Sequence, residues 1–365
     1  MPTLTAEVNL TDEQLAAVEH LLAFSKSVQT LAGYAGVGKT TVIKEIKRNL
    51  PRFAVCAFTG KAANVLRRKG VPASTIHSLI YGAYEWDDWE DLDERGRPKR
   101  KVAFDLKPPE KVDCDGFIVD EGSMIGKTLH DAIMSFGRPI IYVGDHGQLE
   151  PVADQGFNLM ADPDVKLETI HRNAGEIARF AEHLRKGLPA SEWRASGKKV
   201  RIVGLDEGRN WRGDQIICAF NRTRGALNRQ NREALGMPPD EPVVGDRVMC
   251  LQNDRTLGVF NGMQGTIAAI DGERMTFAAE DKEFKVRCIP EQFNQERKPE
   301  ARDRDKRLPF DYCYAVTAHK FQGDQADRVL VLEQRCGAWS HERWCYTAAS
   351  RAVKQLTWIT GADHA

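Results

Sequence analysis

Residues 33–41 read GYAGVGKTT, and the fold turns on what that stretch is. Glycines at Gly33, Gly36 and Gly38 lead into Lys39, Thr40 and Thr41 with the spacing G-x-x-x-x-G-K-T. Small residues let successive backbone N–H groups turn inward around phosphate oxygens. Lys39 would then reach the β and γ phosphates of ATP, and the Thr40 hydroxyl would bind Mg2+. Such a loop needs a strand before it and a helix after it. The run SVQTLAG supplies β-prone residues, and TTVIKEIKRNLP supplies Val42, Ile43 and Ile46 at helical spacing with Pro51 as a stop. The helix N-terminus adds partial positive charge beneath the phosphates. A glycine-rich turn that binds nothing would not need this strand–loop–helix context.

Composition sets the frame around the loop. The chain has 365 residues and formal net charge +0, which at about 100–200 residues per domain predicts two or three domains. Hydrophobic residues make up 42%, enough for real cores. No apolar run approaches the roughly 20 residues of a membrane span, and the N-terminus carries no basic-then-apolar signal, so a cytoplasmic protein is expected. Eight cysteines with no C-x-x-C spacing read as reduced core residues rather than a disulfide frame or a metal site. Zero net charge leaves nucleic acid open as a partner, with any basic surface balanced elsewhere.

Short apolar runs recur, each ending in a polar or glycine-rich signature. VQTLAGYAG, FAVCAFTGK, GFIVDEGS and PIIYVGDHGQ fall in the first half; QIICAFNRT, YAVTAHKFQG, RVLVLEQ and LTWITG fall in the second. Their length predicts buried parallel strands with ligands at the carboxyl ends. Only the first half has a phosphate loop, which suggests one nucleotide shared between two α/β domains. In FIVDEGSM, Asp120 would hold Mg2+ through water, and Glu121 would orient or deprotonate the attacking water. In NLTDEQLAAV two readings stand for Gln14: partner of Thr11 in a helix capping box, or hydrogen bonding to an adenine edge.

The order of these motifs resembles superfamily 1 helicases, and within them the 1B branch of RecD-like and Dda-like enzymes. The likeness covers nearly the whole chain: the glutamine motif at Gln14, the loop, AFTGKAANVL with STIHSLI, VDEGSM, GDHGQLEPV, LETIHRN, GDRVMCLQND, VFNGMQG, YAVTAHKFQGDQADRV and YTAASRA. It implies an α/β fold of two RecA-like P-loop NTPase domains. Their expected bounds are 1–80 with 110–165, and 166–241 with 309–365. Gln148 would sense the γ phosphate, Arg172 and Arg351 would act as cationic fingers, and Gln322 and Gly323 would contact the nucleotide. A guanidinium suits charge spread over phosphoryl oxygens. Gln325 stands where the family usually has Glu, and Phe321 and Phe58 replace smaller residues and proline. Each phenylalanine has a base-stacking and a core reading.

The resemblance also implies a single-stranded DNA track. It would run over Phe58, Thr59, Lys61 and His77 of the first domain and Asn221, Arg222, Thr317, His319 and Lys320 of the second. For each histidine a buried, hydrogen-bonded role competes. Residues 81–109 form a first insertion in which DERGRP reads as a turn between an acidic and a basic arm, a pin in this family. Residues 242–308 form a second, with short alternating runs and the hairpin signals Asn261-Gly262 and Asp271-Gly272, an SH3-like β-barrel in this family. The charged run NQERKPEARDRDKR follows it and reads as a solvated return strand or a DNA-facing arm, its near-balanced charges favouring the former. The expected function is an ATP-dependent DNA helicase, 5′ to 3′ by resemblance. It would act as a monomer on single-stranded DNA and duplex forks, with a single-stranded-DNA-binding protein as a further partner. The rivals are a translocase that displaces proteins but unwinds poorly, and a helicase-like DNA-binding subunit of a larger complex.

Overall fold

The computed structural model describes residues 10–92, 98–150, 157–169, 175–195, 197–205, 215–238, 241–254, 257–279, 282–295 and 307–361, and for 83–104 the backbone alone. The chain divides into two units: Met1–His146 with Glu150–Thr169, and Gly147–Leu149 with Ile170–Ala365.

In the first unit the helices are α1 (Asp12–Leu22), α2 (Lys39–Asn49), α3 (Gly60–Arg68), α4 (Ile76–Ile80) and α5 (Lys127–Met134). The strands are β1 (Val28–Gly33), β2 (Phe53–Ala57), β3 (Ser74–Thr75), β4 (Tyr81–Leu92), β5 (Pro98–Leu106), β6 (Gly116–Asp120), β7 (Ile140–Gly144) and β8 (Val165–Leu167). A six-stranded sheet runs in the order β3-β2-β6-β7-β1-β8, with parallel pairing throughout. All five residues of β7 and the first four of β6 are buried. Both faces are covered, so these strands read as continuous apolar runs rather than alternating ones. Phe117, Val119, Tyr142, Ile133 and Phe136 pack on one side of the sheet, each such side chain contributing about 1.5–3 kcal/mol on full burial. β4 and β5 leave this body as a separate antiparallel pair, in register from Tyr81↔Leu106 to Asp88↔Lys99.

In the second unit the helices are α6 (Gly175–Arg185), α7 (Asn221–Ala234) and α8 (His341–Ala349). The strands are β9 (Val200–Gly204), β10 (Gln215–Cys218), β11 (Arg247–Cys250), β12 (Gln264–Asp271), β13 (Arg274–Ala279), β14 (Lys282–Arg287), β15 (Phe310–Tyr312), β16 (Ala315–Thr317), β17 (Ala326–Leu332) and β18 (Ala352–Thr360). A parallel sheet has the order β16-β10-β17-β18-β9. An antiparallel sheet has the order β14-β13-β12-β11-β15. Asp271 and Arg274 pair across the β12–β13 turn, at the Asp271-Gly272 signal. Here burial alternates, as in Arg274–Ala279, because only one face meets the core of Phe277, Phe310 and Val248.

A buried ion pair ties α7 to the antiparallel sheet. Arg232 Nε and Nη2 donate to Asp246 Oδ1 and Oδ2 at 2.8 and 3.0 Å, and both side chains are 0% exposed. The Tyr314 hydroxyl donates to Asp246 Oδ1 at 3.0 Å, the Val243 N–H to Oδ2 at 2.8 Å, and Arg232 lies 4.0 Å above the Tyr312 ring. The eight cysteines form no disulfide, and all but Cys336 are buried. The turn expected at DERGRP falls on residues 93–97, which with 296–306 and Arg172 lie outside the described residues. Among the described residues, no helix is long and apolar enough to cross a membrane.

Asp164 pins the edge of the first sheet. Its Oδ2 accepts from the Thr30 N–H at 2.9 Å and from the Thr30 hydroxyl at 3.1 Å, and it pairs with Lys26. Burial pushes this carboxyl up, but the Lys26 ammonium and the Thr30 hydrogen bonds outweigh burial and hold it below the usual range. A depressed native pKa gives stability that is present above the unfolded value and is lost as pH falls through the native one. Asp164→Asn should therefore cost about 1–2 kcal/mol in urea unfolding at pH 7, with the deficit shrinking as pH falls through the depressed native pKa. A deficit independent of pH would show that shape, not charge, holds this edge.

Candidate nucleotide site

Parallel pairing decides which residues meet. Ala32 of β1 pairs with Gly144 of β7, and Val119 of β6 pairs with Tyr142, so Gly33, Asp120 and Asp145 emerge at the same carboxyl edge. The chain then turns through Tyr34–Gly38 into α2. Gly36 and Gly38 take φ of 88° and 89°, a left-handed backbone that side chains with a β-carbon rarely adopt. Gly38 is the N-cap of α2, no side chain caps that end, and no acidic residue occupies the first turn. The amide end of α2 thus suits an anion.

Lys39 Nζ donates to the Gly33 and Tyr34 carbonyls at 2.6 and 3.1 Å, and lies 3.8 Å from Asp145, whose side chain is 1% exposed. The Thr40 hydroxyl accepts from Lys69 Nζ at 3.3 Å, and Thr41 sits in the first turn, its N–H bonded to the Gly38 carbonyl. The Asp120 carboxylate accepts from the Glu121 N–H at 2.9 Å. Burial and the adjacent Glu121 carboxylate push Asp120 up to about 7, while Lys39 and Lys69 oppose the rise. Glu121 itself has φ 57°, a left-handed conformation uncommon outside glycine.

Gln14 forms the capping box with Thr11, and its Nε2 also donates to the Val37 carbonyl at 3.0 Å. Its amide therefore braces the phosphate loop from behind. Tyr34 and His146 add a contact that sequence reasoning missed: hydroxyl to Nε2 at 2.7 Å, rings 4.3 Å apart. Asp145 and Lys69 were also missed. GDHGQ held the signal for Asp145 and His146, whereas nothing local marks Lys69.

The DNA candidates fall in two sets. In the first unit the Thr59 hydroxyl caps α3, Lys61 lies in that helix's first turn, and Phe58 meets His77 edge-on at 6.4 Å. His77 is exposed and stacks on Tyr81 at 5.6 Å, so the buried reading of this histidine fails. Phe58 packs, partly buried, against the core cluster.

In the second unit Asn221 and Arg222 are exposed at the start of α7. The Thr317 hydroxyl accepts from the Lys320 N–H, and Lys320 Nζ donates to Asn261. His319 is half-buried, lies edge-on to Trp339 at 4.8 Å, and is held below the usual imidazole range by burial. Phe321 is 1% exposed, so it is a core residue and not a stacking platform.

Gln148, Gln322 and Arg351 are buried in the second unit. Gln322 Nε2 donates to the Leu149 carbonyl at 3.0 Å, and Gly323 has φ 76°. Arg351 donates to the Thr347 carbonyl at 3.0 Å, the Asp324 carbonyl at 3.3 Å and the Ser350 hydroxyl at 2.9 Å. It is not the exposed helix arginine that its local sequence resembles.

A phosphate loop at the carboxyl edge of a parallel sheet, with an acidic pair at the end of the strand two places away, defines a P-loop NTPase. The AAA domain model matches residues 9–206, and the UvrD-like helicase C-terminal domain model matches residues 312–359. The chain belongs to the AAA domain family, and its C-terminal part is similar to UvrD-like helicase C-terminal domains. It is 29% identical to the conjugal transfer protein TraA of Rhizobium radiobacter over 90% of this chain and 31% of that one. It is 27% identical to the ATP-dependent RecD2 DNA helicase of Deinococcus radiodurans over 95% of this chain and 48% of that one. The chain thus spans about a third to a half of these relatives. The fold is that of Bacteroides Pif1 bound to single-stranded DNA: TM-score 0.60, 19% identity, covering 96% of this chain and 92% of that one.

Gly38→Ala would place a β-carbon on backbone at φ 89°. The expected loss is about 1–2 kcal/mol in urea unfolding; an unchanged midpoint would mean that the loop relaxes to negative φ without cost.

Proposed function

We propose that this chain is an ATP-hydrolysing motor that moves along single-stranded DNA and opens duplex forks. What carries the reading is the convergence of Lys39, Asp120, Glu121 and Asp145 beneath a loop whose two glycines take left-handed backbone. A turn with no ligand has no use for a partly buried acidic pair beside a lysine.

Thr40 and Asp120 would hold Mg2+, since hydroxyl and carboxylate oxygens suit a hard cation. A divalent charge would relieve the burial and repulsion that raise Asp120. When bound, Mg2+ supplies neutralisation of phosphate charge. Lys39 would exchange its loop carbonyls for phosphate oxygens, Glu121 would take the proton of the attacking water, and Gln14 would act through the Val37 carbonyl. Gln148, Arg172 and Arg351 are the proposed sensor and cations, with Gln322 and Gly323 near the nucleotide.

Phe58, Thr59, Lys61 and His77, and Asn221, Arg222, Thr317, His319 and Lys320, are the proposed DNA contacts. Tyr81 joins them through its stack on His77. The β4–β5 pair is proposed as the pin at the fork, and the antiparallel sheet as the SH3-like module. The domain bounds read from sequence and the 5′ to 3′ direction belong to the same proposal.

Steady-state ATP hydrolysis should rise strongly with single-stranded DNA, and Lys39→Ala should lower it by about 10²–10³-fold. DNA binding without hydrolysis in the unaltered protein would replace the motor with a DNA-binding subunit. Deleting residues 86–100 should leave DNA-stimulated hydrolysis intact and abolish unwinding of 5′-tailed forks. Loss of both activities would remove the pin role, and unwinding of 3′-tailed forks alone would reverse the direction.

A further inference from the structure

Away from the phosphate loop, α8 begins at a Ser340 cap and carries His341 and Cys345 one helical turn apart, hence on one face. Glu333 follows the last residue of β17. Its Oε1 lies 3.0 Å from His341 Nε2, and Cys345 Sγ lies 3.4 Å from that same nitrogen. The three donor atoms fall within 4.8 Å of one another, the one such group of histidine, cysteine and acidic residues among the described residues. We propose that Glu333, His341 and Cys345 form a binding site for one borderline-soft divalent cation, of which Zn2+ is the type.

Distances favour this. Tetrahedral zinc, with Zn–N and Zn–O near 2.0 Å and Zn–S near 2.3 Å, sets neighbouring ligand atoms about 3.3–3.5 Å apart. The observed 3.0 and 3.4 Å need changes of only a few tenths of an ångström. Nε2 thus faces both a carboxylate oxygen and a sulfur, two atoms that can share one cation with it. A cation would satisfy all three donors at one point, its charge balanced by carboxylate and thiolate.

The surroundings hold the donors ready. Trp358 Nε1 donates to Glu333 Oε2 at 2.7 Å, leaving Oε1 toward the histidine, the way an outer partner orients a ligating carboxylate. The His341 ring lies parallel to Trp344 at 6.5 Å. Cys345 is buried, whereas His341 and Glu333 are 20% and 18% exposed, which leaves an edge where water completes the coordination. Binding would release the thiol proton to solvent and clamp the first turn of α8 to the end of β17. The sequence expectation that no cysteine binds metal is revised for Cys345 alone. His-x-x-x-Cys with a distant glutamate is no standard spacing, and only the fold joins the three.

The test titrates Co2+ into the chelator-treated full chain. One equivalent should produce a thiolate-to-cobalt absorption band that Zn2+ displaces, with a rise in thermal midpoint. Cys345→Ser should abolish the band, and Glu333→Gln and His341→Gln should each weaken binding by about tenfold or more. Cys345 is buried, so circular dichroism checks each fold, and the two partly exposed positions decide the matter should Cys345→Ser unfold. No band at one equivalent, or a band that persists in Cys345→Ser with affinity unchanged in Glu333→Gln and His341→Gln, overturns the site. ATP takes no part, so the outcome is independent of the motor reading.

Discussion

Parallel register is the constraint on which the first unit depends. The pairing of β1 with β7 and of β7 with β6 sets three strand ends side by side. A slip of one residue in β6 would send its side chains to opposite faces and carry Asp120 away from the loop. The nearly continuous burial of β6 and β7 makes that slip costly, because polar termini would be drawn into the core. Site geometry is therefore maintained by apolar packing well below the chemistry. The loop contributes backbone donors, and the sheet decides what faces them.

Charge is treated differently in the two units. Around the loop, charges are left in tension: Asp120 is raised by burial and by Glu121, and Lys39 rests on loop carbonyls with Asp145 nearby. Such a site gains when a polyanion and a cation arrive together. Beneath α7, charge is settled. Arg232 and Asp246 are joined by two hydrogen bonds and backed by Tyr314 and the Val243 amide. Breaking a pair of this kind typically costs about 3–5 kcal/mol because a bare charge remains inside. One arrangement leaves charges only partly matched, and the other matches them fully.

The same contrast separates Arg351 from the Glu333–His341–Cys345 cluster at the opposite end of α8. Arg351 has two carbonyls and a hydroxyl as partners and sits fully engaged. The cluster offers one ring nitrogen to two competing neighbours. A helix with a fixed C-terminal side and an adjustable first turn can be stiffened without touching the residues that follow it.

The sequence by itself determined the local features. Gly36, Gly38, Lys39 and Thr40 at fixed spacing marked the loop, apolar runs marked β6 and β7, and Asp271-Gly272 marked the β12–β13 turn. These are readable because backbone conformation and strand burial act over a few neighbouring residues. Contacts between distant segments were decided by tertiary structure alone: Lys69 beside Thr40, Tyr34 against His146, Gln14 bracing Val37 and Cys345 beside Glu333. Burial also decided between readings that the sequence left open, making Phe321 core and leaving His77 exposed on Tyr81. An amphipathic run shows which face turns inward, but not which side chain it will meet, since that depends on strand order across the whole sheet.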